Sequence, residues 1–245
     1  MRYPQLNATP IEYVDYSWNP ITGCLEGCPY CYARGTANKR VRKIYLANPN
    51  VLAGDPADVF APRFWPDRMA TPKGNRKSSA IFVVDMGDLF GIGVPPKIIN
   101  QVIQVAFECP QHDFLFLTKQ PHRLRQFAFP PNAWVGCTAT NERQLENAYS
   151  GLVDLKADHR FISFEPLLER LPTTWLEPIA NIVDWFIIGA QTKPTIKPDP
   201  VWLLEMECLA QKHSVPIFYK DTLIERGIRE WPKDYRKGVR DALEI

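Results

Sequence analysis

The run Cys24-Leu-Glu-Gly-Cys28-Pro-Tyr-Cys31 places three cysteines at positions i, i+4 and i+7, between the first predicted strand and the first predicted helix. Gly23 and Gly27 permit tight turns and Pro29 stiffens the path. One short loop can therefore bring three thiolates to three corners of an iron–sulfur cubane, which leaves the fourth iron without a protein ligand. An open iron can bind a substrate or cofactor directly, besides carrying electrons.

A structural zinc site is the alternative use of these thiols. Structural zinc takes four closed ligands, and neither a second Cys-x-x-Cys pair nor a histidine at zinc-finger spacing lies nearby. The other cysteines, Cys109, Cys137 and Cys208, are isolated, so we expect neither a second cluster nor a secreted disulfide framework. The spacing favours a [4Fe–4S] cluster and leaves zinc, with an unidentified fourth ligand, as the second interpretation.

Short apolar segments alternate with helical patterns along the rest of the chain. Their nearly continuous apolar character is typical of strands buried on both faces of a parallel sheet. We therefore predict an α/β fold, a parallel (β/α) barrel that is complete or partial, in a single domain over 1–245. The predicted strands are 12–18, 81–86, 114–118, 134–138, 161–165, 185–189 and 216–220, and the predicted helices are 32–46, 95–109, 122–127, 142–155 and 200–213.

The segment 47–79 interrupts this alternation, because its five prolines exclude a regular helix or strand over most of its length. Between Arg34 and Lys77 the chain has ten Arg or Lys residues against three Asp, although its net charge is only +2. Such an insertion is a candidate substrate-binding element or lid that draws anionic groups toward the barrel mouth. Aromatic residues interleave with the charges, which suits nucleic acid, and a solvated basic loop is the alternative. These aromatics are Tyr45, Phe60, Phe64 and Trp65.

The composition, with 45% hydrophobic and 23% charged residues, is that of an ordinary globular protein. No apolar run approaches the roughly 18 residues that a membrane helix needs. The amino terminus also lacks the apolar stretch of a signal peptide. We expect a cytoplasmic protein with no membrane partner.

The CxxxCxxC motif, with Tyr30 directly before its last cysteine, resembles the signature of the radical S-adenosylmethionine (AdoMet) superfamily. The resemblance implies that Cys24, Cys28 and Cys31 hold the [4Fe–4S] cluster and that AdoMet chelates the open iron. It also implies that an external electron donor drives cleavage of the sulfonium to methionine and a 5′-deoxyadenosyl radical.

Segment by segment, the chain also resembles a phage-associated family of uncharacterised radical-SAM-like proteins. The matching segments cover nearly the whole chain, and they are Trp18-Asn-Pro-Ile-Thr-Gly-Cys24, Met86-Gly-Asp-Leu-Phe90, Leu117-Thr-Lys119, Phe161-Ile-Ser-Phe-Glu-Pro-Leu-Leu168, Asp184-Trp-Phe-Ile-Ile-Gly189 and Phe218-Tyr-Lys220.

The superfamily resemblance further implies AdoMet contacts at the strand ends. Met86-Gly87-Asp88 stands where the superfamily usually has a Gly-Gly-Glu-like element for the amino group, and a helix-capping role is the alternative for Asp88. Hydroxyl groups closing later strands would face the ribose and the methionine carboxylate, and a glycine would lie beside adenine. The implied cofactor residues are Tyr30, Gly87, Asp88, Thr138, Thr140, Ser163 and Gly189.

Four further side chains stand at or just after predicted strand ends, where a barrel would point them toward one cavity. They are our candidates for catalysis, although a solvated cap is the alternative for each: Lys119, Glu165, Gln191 and Lys220. The predicted function is radical chemistry begun by hydrogen abstraction on an unidentified substrate, which the basic insertion suggests is anionic or nucleotide-like. The alternatives are a radical repair or modification enzyme acting on nucleic acid, and a non-catalytic, zinc-stabilised nucleic-acid-binding protein.

Overall fold

Strands followed by helices recur throughout the computed structural model, which describes residues 6–235. The contacts group this part of the chain into two compact units, 6–118 and Lys119–Tyr235. Each unit contains four neighbouring strands of a mostly parallel sheet, so the predicted α/β class with parallel strands is confirmed. That 1–245 form one barrel domain with an insertion at 47–79 stays a prediction.

The first unit is built around a sheet with helices on its apolar faces. Its strands are β1 (Asn7–Ala8), β2 (Tyr16–Trp18), β3 (Ile21–Thr22), β4 (Arg63–Phe64), β5 (Ala80–Val83) and β6 (Asp113–Thr118), and its helices are α1 (Tyr32–Lys39), α2 (Arg42–Ala47) and α3 (Pro96–Glu108). The strand order is β1-β2-β5-β6. β1 is antiparallel to β2, whereas β2, β5 and β6 are parallel, with Ser17 opposite Phe82 and Phe82 opposite Leu115.

The predicted helix 32–46 is two helices in the structure. α1 ends at Lys39, and Val41, with φ −121° and ψ 15°, lies outside the helical region before α2 begins. The break lets both helices bury small or aromatic side chains: Ala33 and Ala37 from α1 and Tyr45 from α2 pack with Phe60 of the insertion. Tertiary packing therefore decides where the helix stops.

The insertion is a packed part of the first unit. Leu52 N donates to Pro62 O, and β4 pairs antiparallel with β3. Two short 3₁₀ turns follow, Pro66–Arg68 and Pro72–Gly74. The segment runs from the end of α2 to the amino end of β5, and many of its apolar residues are buried. Its role as a lid or substrate-binding element stays a prediction.

The second unit has strands β7 (Ala133–Thr138), β8 (His159–Phe164), β9 (Trp185–Ile188), β10 (Gln191–Thr192), β11 (Thr195–Ile196) and β12 (Ile217–Tyr219), with helices α4 (Glu142–Leu152), α5 (Thr173–Ala180) and α6 (Pro200–His213). The sheet order is β7-β8-β9-β12, and all of these strands are parallel. β10 and β11 form a separate antiparallel hairpin. The predicted helix 122–127 is a 3₁₀ helix, Pro121–Gln126. Another 3₁₀ segment, Asp221–Arg226, follows β12.

Candidate functional site

The three cysteines lie on one loop between β3 and α1, as their spacing predicts. Gly23 opens the loop with φ +88°, and a Cβ there would lie 2.4 Å from Ala61 O. Gly23 N donates to Met86 O at 2.8 Å, and Cys24 N donates to Phe60 O at 2.9 Å. The loop is therefore fixed beyond the carboxyl end of β5 on one side and against the insertion on the other.

Gly87 completes this close approach of two backbones. It bridges to Gly23 in parallel fashion, and a Cβ at Gly87 would lie 2.6 Å from Gly23 O. Only glycine fits at both positions without displacing backbone. The predicted role of Gly87 in cofactor binding stays a prediction, and the structure adds a positioning role for the cysteine loop.

The thiols are half-buried and receive backbone hydrogen bonds. Cys24 Sγ accepts from Glu26 N at 3.4 Å, and Cys31 Sγ caps α1 by accepting from Arg34 N at 3.3 Å. Burial raises the pKa of the Cys24 thiol to about 12; the Glu26 N–H opposes the shift and nearby Asp88 adds to it. Metals bind the thiolate form of cysteine. A positive metal centre would therefore offset the free-energy cost of ionising the buried Cys24 thiol.

The donor set fits a cluster with three protein ligands, since three thiols share a short anchored loop and two of their sulfurs already accept N–H groups. Within residues 6–235, no three His, Cys, Asp or Glu side chains come together as a group that could hold a metal ion. The cysteines thus share a loop without forming such a group in this structure, and their role as cluster ligands is a proposal.

Asp88 is a buried turn cap. Phe90 N donates to Asp88 Oδ1 at 2.9 Å, and the Thr118 hydroxyl donates to the same carboxylate at 2.8 and 2.9 Å to its two oxygens. These contacts join the turn after β5 to the end of β6. They match the capping interpretation of Asp88, and its contact with AdoMet stays a prediction.

Asp85, in the turn after β5, makes contacts beside the cysteine loop that no sequence pattern predicts. Val84, just before it, has φ +64°, which is rare and costly for a β-branched residue. This turn aims the Asp85 carboxylate at Asn19, whose amide nitrogen donates to it, while Tyr32 OH donates to Asp85 O at 2.7 Å. Burial raises the pKa of Asp85. No sequence signal marks a valine with positive φ, which explains the omission.

At least four of the ten cations between Arg34 and Lys77 make contacts within the first unit. Arg63 is fully buried and donates to the carbonyls of Pro56, Asp58, Val59 and Ala61. Arg34 pairs with Asp58, Arg68 stacks on Trp65 at 3.9 Å, and Lys73 pairs with Glu108. These contacts leave fewer of the cations free for an anionic ligand than the charge count suggests.

The second unit brings three predicted residues together at the carboxyl ends of its strands. Lys220 Nζ lies 2.6 Å from Glu165 Oε1, and the Lys220 side chain is only 15% exposed. A Cβ at Gly189 would lie 3.2 Å from both Glu165 Cγ and Lys220 Cδ, so glycine leaves room for the ion pair. The convergence of Glu165 and Lys220 at the ends of β8 and β12 agrees with the sequence analysis.

The other predicted side chains have varied environments. Gln191 Nε2 donates to Pro194 O within the β10–β11 hairpin, and Lys119 directly follows β6. Thr140 donates to Gln144 Oε1 at the start of α4. Ser163 Oγ is buried with no hydrogen-bond partner among the residues that the structure describes. Thr138 ends β7, and Tyr30 lies half-buried between the second and third cysteines.

An open groove of about 900 Å³ lies between the insertion and α3, lined in part by Phe64, Met69 and Gln101, and none of its lining residues is a predicted site residue. No helix in the described range 6–235 is both long enough and apolar enough to cross a membrane.

The fold and the loop define the class of protein: an α/β protein of parallel strands with three cysteines on the loop that leads from the first strands into the first helix. The chain belongs to a family of proteins of unknown function (DUF5131), whose model matches residues 8–230. No curated protein matches the chain.

Solved structures of spore photoproduct lyase are similar. A cysteine-to-serine mutant shares 12% sequence identity at a TM-score of 0.57, covering 90% of this chain and 81% of that chain. A cysteine-to-alanine mutant with dinucleoside spore photoproduct shares 11% identity at a TM-score of 0.51, covering 85% and 64%. A double mutant with bound AdoMet and dinucleoside spore photoproduct shares 12% at 0.50, covering 85% and 64%. At these identities the likeness shows a common fold.

Proposed function

We propose that this chain is a radical SAM enzyme in which Cys24, Cys28 and Cys31 hold a [4Fe–4S] cluster with one iron open to AdoMet. The observation that carries the proposal is the cysteine loop, fixed through Gly23 and Gly87 beyond the carboxyl end of β5. The fold is also that of a protein solved with bound AdoMet. The site lies where ligands bind in parallel α/β folds.

The residues of this chain position and tune such a centre. When bound, the cluster and AdoMet supply one-electron cleavage of the sulfonium. Backbone N–H groups of Glu26 and Arg34 donate to two of the sulfurs, and such hydrogen bonds set the reduction potential of a cluster. The predicted AdoMet contacts of Tyr30, Thr138, Thr140, Ser163 and Gly189 are part of this proposal.

The substrate side of the proposal rests on the Glu165–Lys220 pair. The Lys220 side chain is largely buried, and its ammonium group can bind an anionic group of a substrate. Glu165, whose Oε1 lies 2.6 Å from Lys220 Nζ, can serve as a general acid or base. Lys119 and Gln191 stay candidates for further contacts. This arrangement supports an anionic or nucleotide-like substrate.

A second candidate is a radical repair or modification enzyme acting on nucleic acid. The observation that favours it is the shared fold with spore photoproduct lyase, which was solved with dinucleoside spore photoproduct. Binding of short oligonucleotides, with and without AdoMet, would test this candidate directly.

The cluster assignment is tested by anaerobic reconstitution of the full chain. We expect roughly four irons and four sulfides per chain in the wild type. Cys24→Ala, Cys28→Ala and Cys31→Ala should each lose most of that iron, because three thiolates are the minimum for this cluster. Cys208→Ala, which changes an exposed cysteine outside the loop, is the matched control and should keep it.

Zinc without sulfide, bound by the wild type and lost in the three loop variants, would reject the enzyme. That result would support the zinc-stabilised nucleic-acid-binding protein instead. Iron retained after removal of any loop cysteine would reject the ligand assignment.

A further inference from the structure

The outer surface of α1 and α2 carries charged and apolar side chains that the proposed site does not use. We define the 39–46 face by the cations Lys39, Arg40, Arg42 and Lys43 with the exposed Ile44 and Leu46. We propose that this face docks a small acidic redox protein, which delivers the electron for AdoMet cleavage. The inference rests on the proposed function and names the partner of the same site.

The charge of this face is uncompensated. Its four cations lie within five residues of one another and are all exposed. Within residues 6–235 none of them forms an ion pair with a carboxylate, and Arg42 donates only to Asn38 at 3.3 Å. Neighbouring cations differ, since Arg34 is paired with Asp58. An acidic surface is the electrostatic complement.

The apolar side chains favour a protein over nucleic acid. Ile44 is 55% exposed and Leu46 is 39% exposed, while the same helices bury Tyr45 inward. Leu46 lies one turn after Arg42 and Lys43, so an exposed apolar side chain lies beside the cations, and such mixed surfaces are typical of protein interfaces. Nucleic acid binding would instead use exposed aromatic rings for base stacking. Tyr45 and Phe60 are buried, and Arg68 covers Trp65. Tyr32 is 51% exposed, but it lies at the other end of α1, seven residues before Lys39, and is not part of the 39–46 face.

The position of the face suits electron delivery. Cys31 is the N-cap of α1, which runs from Tyr32 to Lys39. At a rise of about 1.5 Å per residue, such a helix spans about 12 Å. A protein docked on the 39–46 face therefore lies near the cysteine loop. The reduced partner would lose one electron, the bound cluster would pass it to AdoMet, and breaking the sulfonium C–S bond would give methionine and a 5′-deoxyadenosyl radical.

Reduced flavodoxin, a small acidic flavoprotein, is the probe. Its dissociation constant with the full chain is measured by calorimetry at low salt and at about 0.5 M salt, where charge attraction is screened. We expect Arg40→Glu/Lys43→Glu to weaken binding at low salt by about tenfold or more. Arg143→Glu/Lys156→Glu, which reverses two exposed, unpaired cations elsewhere, makes the same change in net charge and should leave binding unchanged.

Two further measurements separate the apolar contribution to binding from the electrostatic one, and electron delivery from binding. Ile44→Ser should weaken flavodoxin binding at both salt concentrations, because apolar contact is not screened. In the reconstituted Arg40→Glu/Lys43→Glu variant, formation of 5′-deoxyadenosine should fall with flavodoxin as donor and stay at the wild-type rate with dithionite, which needs no docking.

Equal binding by wild type and Arg40→Glu/Lys43→Glu would overturn the inference, as would equal weakening in the control. It would also be overturned if this variant lost binding to a single-stranded oligonucleotide and kept its affinity for flavodoxin. If wild type makes no 5′-deoxyadenosine with dithionite, the proposed function fails, and the calorimetric result still decides whether the face binds an acidic protein.

Discussion

Gly23 shows how one backbone position fixes the cysteine loop. Its φ of +88° lies in the left-handed region, and a Cβ would overlap Ala61 O at 2.4 Å, a backbone atom that cannot move aside. Glycine at this position predicts a tight turn. The contact with Ala61 has no sequence signal, because it joins segments far apart in the chain.

Gly23→Ala should therefore lower the free energy of unfolding by about 2–4 kcal/mol, from backbone strain and overlap together. The same variant should take up less iron on reconstitution. Gly35→Ala is the control, because nothing lies within 4 Å of its added Cβ in α1, and alanine favours the helix. Urea unfolding and iron analysis measure both effects, and equal behaviour of the two variants would contradict this account of the loop.

The environments of Arg63 and Asp85 cannot be predicted from the sequence. A charge count treats every arginine as solvated, yet Arg63 is buried among four carbonyl groups. Asp85 gains its place from the positive φ of Val84. Both depend on tertiary contacts, and neither has a local pattern that would predict it.

At the scale of elements, the turn after β5 is held by Asp88 and Thr118. The carboxylate caps the turn through Phe90 N and accepts from the Thr118 hydroxyl at the end of β6. The turn also carries Gly87, which pairs with the cysteine loop. Stability of this turn and placement of the loop are thus linked.

Asp88→Ala and Thr118→Val should each cost about 1–3 kcal/mol of unfolding free energy, because each removes a buried hydrogen bond to a carboxylate. In the double variant the costs should fall short of their sum by about 0.5–3 kcal/mol, since the two side chains share one hydrogen bond. Urea unfolding of the four proteins gives this coupling. Strict additivity would show that the pair does not support the turn.

The strands were predictable and some helices were not. The seven apolar runs all appear as sheet strands, because parallel strands buried on both faces leave a continuous apolar signal. β1 is too short to give one. α5 was missed because Pro172 precedes it and Pro178 lies inside it, and prolines usually argue against a helix.

For the whole molecule, sequence spacing predicted the cysteine loop and strand ends predicted the Glu165–Lys220 pair. The ion pairs of the insertion and the burial of its aromatic residues have no sequence signal, because both arise only on folding. The sequence singles out Asp88 and gives no sign of the contacts of Asp85 with Asn19 and Tyr32. The cysteine motif and the hydrophobic periodicity thus predict the fold class and the cysteine loop. The contacts of individual side chains depend on residues far apart in the chain.

The central claim is that this chain cleaves AdoMet reductively at a cluster held by its cysteine loop. The direct test is anaerobic incubation of the reconstituted full chain with dithionite and AdoMet, followed by mass spectrometry for 5′-deoxyadenosine. The account predicts that 5′-deoxyadenosine forms with the wild type and with Cys208→Ala, and falls to background with Cys28→Ala. Its absence from a wild-type sample that holds a full complement of iron and sulfide would contradict the claim.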